Sequence, residues 1–288
     1  MMSERIDLRR ITSVLRTVPI FPTVVLAIFL VCGVFGGFFV PHDPNDMELN
    51  NSLMPPFWEE GGSTSYLLGT DQLGRDMLSR VIGGAGISLQ VGFVVVFISG
   101  TIGSIFALLS GYLGGWVDVI IMRMADTFLA LPYMLIAIAM AAILGPSRNN
   151  IILILVIMGW AGYARVLRSE VLRIKEVNFI QLAIVAGCSN VRIMLRHIFP
   201  NIVNTLTIMA TLQFGSVIIA ESSLSFLGLG VPPPHPAWGS MLADGRNHMT
   251  NAWWMSVWPG VAILLVVLSC NLLGDWLRVR LDPKFRQL

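Results

Sequence analysis

Residues 178–200 read NFIQLAIVAGCSNVRIMLRHIFP, a basic and moderately polar island between two strongly apolar stretches. The pattern predicts two short helices meeting at Gly187. Asn178 is suited to cap the first, which runs apolar and small through Ile180, Ala183, Ile184 and Ala186. Glycine fits a helix-ending position that needs positive φ. Ser189 is then suited to cap a second helix running to Pro200. Ala183 and Gly187 stand one turn apart, and their near-absent side chains would let another backbone come close. An ordinary interfacial helix is the competing reading, and the residues of the island alone leave the two even.

The surroundings set the fold class. The chain has 288 residues, 55% hydrophobic and 12% charged, with a mean hydropathy of +0.74. A soluble domain carries roughly one quarter charged residues. Several apolar runs are long enough to cross a bilayer, so the expectation is an all-α polytopic membrane protein. The net charge of +2 marks no nucleic-acid partner. Cys32 and Cys270 lie in apolar runs and Cys188 in the island, which is neither a disulfide framework nor a thiolate metal site. The apolar run from about residue 20 is too long for a signal peptide, and no small-x-small cleavage pattern follows before Pro41.

Six spans are predicted, at about 20–40, 87–111, 119–144, 150–168, 201–221 and 257–277. Residues 1–19 form a basic tail and residues 20–288 the transmembrane domain. Within that domain, 41–86 holds a loop and an interfacial helix. That helix is expected over Asp71–Gly83, with Asp71–Arg75 and Asp76–Arg80 pairs at i,i+4. Pro132 is expected to kink the third span. Residues 170–200, between spans four and five, hold the island; 222–256 are a second long extramembrane segment, and 278–288 a basic tail. Fifteen of the 19 Lys and Arg fall in the tails, at Arg123, or in the island with its flanks; only Arg75, Arg80, Arg148 and Arg246 fall elsewhere. The positive-inside rule then puts both termini and the island in the cytoplasm. Trp253, Trp254 and Trp258 mark the outer end of the sixth span, and Trp276 its inner end.

The island resembles the EAA loop of bacterial ABC-importer permeases. Gln181-Leu182-Ala183 stands at the first three places of that pattern, Gly187 at its glycine, and His197-Ile198-Phe199-Pro200 at its end. Gln181 replaces Glu, Leu182 replaces Ala, His197 replaces Ile and Phe199 replaces Leu. LGTDQLGRDMLSR (68–80), ESSLSFLGLGVPPPHPAWG (221–239) and GDWLRVRLDP (274–283) resemble the C-type subunit of the dipeptide/oligopeptide/nickel permease family. The resemblance implies the type I ABC importer permease fold in a bacterial inner membrane. It implies a homologous second permease subunit, two cytoplasmic ATPase subunits that hold ATP and Mg, and an extracytoplasmic substrate-binding protein. Asn178–Pro200 becomes a coupling helix, with Gln181, Ala183, Ala186, Gly187, Cys188, Ser189, Arg192 and His197 as ATPase-coupling residues. Peptide is the expected cargo on family prevalence; nickel, metallophores and glutathione are alternatives.

The residues themselves bear on this. The two lysines, Lys175 and Lys284, lie in no G-x-x-x-x-G-K-[ST] context. The chain therefore has no phosphate-cradling loop of that kind and no cofactor of its own; ATP energy would enter from a partner. Neither a G-x-S-x-G nor an H-E-x-x-H pattern occurs. Arg192, Arg196 and His197 are suited to acidic groups on a partner or to lipid phosphates. Glu221 is an ionisable group in an apolar region, where function is the default reading. With Ser222 and Ser225 it is a candidate for the substrate path or a gate; the alternative is a tie holding Ser222–Gly230. Arg123 and Asp126 are expected to pair within one helix or anchor at the interface. His42, His235 and His248 lack metal-ligand spacing. A stand-alone channel or secondary carrier would need charged groups at mid-span, which the second to fourth spans almost lack.

Overall fold

A run of apolar residues in hydrocarbon must satisfy its backbone internally, which the α-helix alone does within one segment. The computed structural model describes residues 18–281, and every regular element there is helical apart from one isolated bridge, Thr70 to Asp76. Most of both predicted basic tails, 1–17 and 282–288, lies outside the described residues. Five helices are each long and apolar enough to cross a membrane: α1 (Ile20–Phe39), α2 (Met77–Leu113), α5 (Arg148–Lys175), α7 (Asn190–Phe226) and α9 (Trp254–Leu281). A sixth span requires α3 (Gly115–Ala130) and α4 (Tyr133–Leu144) taken together, and these meet at 89°. Two short α-helices, α6 (Asn178–Val185) and α8 (Trp238–Arg246), and a 3-10 turn, Leu49–Asn51, complete the described set.

Three of the expected boundaries move, each for a local reason. The helix expected over Asp71–Gly83 begins at Met77 and continues unbroken as α2. Asp76 caps it, accepting from the backbone N–H of Leu78 (3.4 Å) and Ser79 (3.0 Å), so it does not pair with Arg80. The glycines at 83, 84 and 86 do not break the helix; Pro236, Trp238 and the Gly33 backbone stand against them. The stretch expected as a kinked third span is two helices meeting at 89°. Pro132 has no N–H to continue the ladder and forces Leu131 extended, at φ −79° and ψ 140°. The second helix of the island does not end at Pro200. It passes through a π-helical stretch, Ile193–Ile198, and continues as the long span α7. The wider π turns loosen the ladder ahead of a residue that cannot donate to it.

Lipid is as apolar as leucine, so helices in it associate by close packing rather than by escape from water. Helix α2 is the hub, packed by α1, α5 and α7. Its contact with α5 runs over Gly103, Ala107 and Gly111. A Cβ on Gly103 would meet the Trp160 carbonyl at 2.8 Å, and one on Gly111 the Val171 side chain at 2.8 Å. Gly114 and Gly115 turn the chain at φ +70° and +56°, with open space around them. The buried side chains form a cluster among α2, α4, α5 and α7 around Ile151, Ile154 and Leu155. A second joins α2, α5 and the island around Tyr163, Leu167, Ile180 and Ile193. A third lies around Trp238, Trp254 and Met255.

Candidate functional site

The island forms a helix, a tight turn and a second helix, as its sequence predicts, with one change of cap. Val177 is the N-cap residue of α6, so Asn178 is the first residue inside the helix. The end of α6 is a Schellman turn: Cys188 N–H donates to the Ala183 carbonyl (3.1 Å) and Gly187 N–H to the Ile184 carbonyl (3.0 Å). Gly187 takes φ +76°, the left-handed conformation expected for it. Ser189 caps α7, its Oγ accepting from Arg192 N–H at 3.4 Å.

Packing against the neighbouring helices decides which residues face outward. Ile180 and Ile193 are fully buried anchors, and Ala183 and Cys188 pack on the same cluster beneath them. Ala183 therefore does not share an open face with Gly187. The outward surface consists of Gln181, Leu182, Ile184, Val185, Ala186 and Gly187. Leu182 is 68% and Val185 85% exposed, beyond the end of the longest apolar helices. A Cβ on Gly187 would meet nothing within 4 Å. Arg192 and Arg196 are exposed and His197 half-buried; among the described residues none of the three makes an ion pair.

Polar contacts that the sequence does not signal fasten the island to its neighbours. Lys175 Nζ donates to the Tyr112 carbonyl at 2.8 Å and lies 5.5 Å from the centroid of the Tyr112 ring. Gln181 Nε2 donates to the Lys175 carbonyl at 3.0 Å. Tyr112 O–H donates to Asn190 Oδ1 at 3.1 Å. Nearby, α3 is joined to α5 by Asp118–Arg168, at 2.5 Å, and by Asp126–Arg165. These carboxylates reach across to another helix; of the two arrangements expected for Arg123 and Asp126, the pair within α3 does not form. Asp118, Arg123, Asp126, Arg165 and Arg168 line a cleft with Val119 and Met122.

Glu221 stands near the opposite end of α7 and has no solvent exposure. Its Oε1 accepts from Ser225 Oγ (2.8 Å), and its Oε2 from Ser88 Oγ (3.2 Å) and Ser222 Oγ (3.4 Å). Ser88 belongs to α2, so the carboxylate ties α2 to α7. Ser222 and Ser225 are themselves buried, and Gly239 seats against both. The three candidate path residues come together, but inside the chain and not on an open surface.

The same end holds a second polar construction. Asp71 Oδ2 pairs with Arg75 Nε at 2.6 Å and with Arg80 Nε at 3.5 Å. Its Oδ1 accepts from the N–H of Leu73 (2.8 Å) and Arg75 (3.0 Å). Arg75 also approaches Asp244 at 3.8 Å, and Arg80 Nη1 donates to the Pro44 carbonyl at 3.0 Å. Asp71, Arg75, Asp76 and Arg80 are all buried. Trp254 Nε1 donates to the Thr70 carbonyl (2.9 Å) and Trp253 Nε1 to Glu59 (2.9 Å), so the loop after α1 is fixed on the start of α9.

A bundle of five long apolar helices with one sharply bent pair, an anchored helical turn outside its spans and an ordered cap at the other end is the frame onto which the comparisons fall. The model of a family described as "Binding-protein-dependent transport system inner membrane component" matches residues 99–287. The chain is 44% identical over 264 residues to the dipeptide transport system permease protein DppC of Escherichia coli (strain K12), covering 92% of this chain and 88% of that protein. It is 41% identical over 261 residues to the di/tripeptide transport system permease protein DppC of Pseudomonas aeruginosa (strain UCBPP-PA14), covering 91% and 86%. It is 40% identical over 261 residues to the probable D,D-dipeptide transport system permease protein DdpC of Escherichia coli (strain K12), again covering 91% and 86%. On a family match over most of its length and relatives at this identity, the chain belongs to the inner-membrane components of binding-protein-dependent transport systems.

Proposed function

We propose that this permease imports short peptides, and that residues 178–198 are the element through which a cytoplasmic ATPase subunit drives it. The observation that carries the reading is the island's outward surface. Leu182 and Val185 are exposed on a helix whose opposite side is anchored by Ile180 and whose end is closed at Gly187. Apolar residues in that position suit a protein groove, and the exposed Arg192 and Arg196 suit an acidic rim around it. Gln181, Ala186 and Gly187 belong to the docking surface. Ala183, Cys188 and Ser189 act from behind it, through packing and capping; His197 stands behind it as well.

The chain is a non-catalytic membrane subunit, and in this reading ATP and Mg are held by two partner ATPase subunits. A second, homologous permease subunit supplies the other half of the path, and an extracytoplasmic binding protein delivers cargo. Di- and tripeptide cargo is supported by the names of the relatives. The distribution of Lys and Arg supports a cytoplasmic island and cytoplasmic termini. Glu221, Ser222 and Ser225 act on the path by position: their mutual hydrogen bonds and the bond to Ser88 fix α7 against α2 at the outer end.

The test uses the assembled complex in proteoliposomes, with alanylalanine as cargo. Gly187→Leu is expected to lower substrate-stimulated ATP hydrolysis while the ATPase subunits still co-purify in part. Wild-type stimulation in an assembled Gly187→Leu complex overturns the reading.

A further inference from the structure

On the cytoplasmic side, the ends of α2 and α5 are closed by side chains of neighbouring helices rather than by their own residues. The last carbonyls of any helix lack an intrahelical partner. At the end of α2 the Tyr112 carbonyl is one of these, and Lys175 Nζ, at the end of α5, donates to it at 2.8 Å. At the end of α5 the Lys175 carbonyl is another, and Gln181 Nε2 of α6 donates to it at 3.0 Å. The circuit closes through Tyr112 O–H, which donates to Asn190 Oδ1 at the start of α7 (3.1 Å). The Lys175 ammonium also lies 5.5 Å from the centre of the Tyr112 ring, so both faces of the tyrosine's chemistry hold it. Beneath the ring, Tyr112, Ile174, Ile180 and Ile193 belong to one buried cluster.

Two π-helical stretches stand beside these contacts: Leu109–Leu113, which ends α2 and contains Tyr112, and Ile193–Ile198, which begins three residues after Asn190. π turns are rare and are frequently found at functional sites.

We infer that Lys175 and Tyr112 are positioning residues that make α6 and the cytoplasmic ends of α2 and α5 one rigid body. A push on α6 then reaches α2, the hub of the bundle, through Lys175. This rests on the reading of α6 as the ATPase-docking helix. It adds residues that stand off the docking surface, 63 and 78 positions apart in sequence from their partners.

The experiment uses the reconstituted complex with spin labels at Phe179 and Leu113, both exposed, in a chain lacking Cys32, Cys188 and Cys270. The distance between the labels is compared without nucleotide and with ATP and vanadate. The expected result is one narrow distribution unchanged by nucleotide, broadened or displaced in Lys175→Met and restored in Lys175→Arg. The ratio of alanylalanine-stimulated to basal ATP hydrolysis should fall severalfold in Lys175→Met. A nucleotide-dependent distance in the unmodified complex overturns the rigid body, and an unaltered distribution in Lys175→Met overturns the role of Lys175. If Lys175→Met does not assemble, Tyr112→Phe removes one hydroxyl and keeps the ring; an unaltered distribution there overturns the proposal equally. Val185→Glu, run in parallel, separates the two readings. If it leaves both ATPase co-purification and stimulation unchanged, the docking surface is wrong. If it abolishes them while Lys175→Met and Tyr112→Phe behave as wild type, only the rigid body is wrong.

Discussion

Gly187 carries two requirements at once. The Schellman turn needs a left-handed residue there, and the surface above it is open. Any L side chain in that conformation costs about 1–2 kcal/mol. Gly187→Ala is therefore expected to lower the thermal midpoint of the purified subunit slightly, and Gly187→Leu by a similar amount, since no atom of the chain itself obstructs the larger side chain. If the island is the docking element proposed, the two should separate in stimulated ATP hydrolysis, because only leucine would intrude on a partner seated there. Equal coupling defects in both would place the effect in the turn and not in the surface. Glu221 is the second residue at which one change is informative. Its carboxylate meets three hydroxyls and no cation among the described residues. Removing it leaves buried hydroxyls without an acceptor, at about 1–3 kcal/mol. Glu221→Ala should lower the melting temperature in detergent by several degrees, and Glu221→Gln, which keeps an acceptor and the shape, by less.

At the scale of elements, burial separates ion pairs that matter from those that do not. The Asp71–Arg75–Arg80 cluster sits under the loop after α1, with side chains no more than 5% exposed. Breaking a buried pair leaves an uncompensated charge, at about 3–5 kcal/mol. Asp71→Ala is expected to release the loop, seen as proteolysis between α1 and α2 that the wild type resists. The Asp126–Arg165 pair links α3 to α5 with both side chains half exposed. Exposed pairs are worth about 0–1 kcal/mol, so Asp126→Asn should leave the melting temperature nearly unchanged. A large loss of stability in Asp126→Asn would mean that the cleft is closed by a partner in the assembly. The break at Leu131-Pro132 was half legible. Proline announces an interruption in any helix, but whether a span bends gently or turns by 89° depends on what the flanking halves pack against.

At the scale of the molecule, the charge distribution predicts orientation and the fold predicts which residues reach each side. Single cysteines at Val185 and at Trp58, placed in a cysteine-free chain, are expected to label from opposite sides of the membrane. In whole cells an impermeant reagent should modify the Trp58 position and not Val185. Labelling of Val185 alone from outside would reverse the predicted orientation, and labelling of both would place the island on the same side as the loop. Much of α1 faces outward with large apolar side chains, from Ile20 through Phe38, and only Pro22 and Gly36 of it are buried. It grips α2 through Gly33 and Gly36, whose missing side chains are filled by Leu89 and Ile82.

Hydropathy and spacing along the chain determine on their own that this is a helical membrane protein, where its apolar runs lie, and that the island turns at Gly187. All of these are local: apolar length, a φ that glycine tolerates, a serine that can cap. Orientation of faces is different. The island helix carries apolar residues on both faces, so periodicity does not say that Ala183 and Cys188 turn inward while Leu182 and Val185 turn outward. Nor does it say that Glu221 meets Ser88, that Asp126 reaches Arg165, or that Lys175 closes the end of α2. Those partners lie 133, 39 and 63 residues apart, and only the packing of whole helices, set by where glycines and alanines let them approach, brings them within hydrogen-bonding distance.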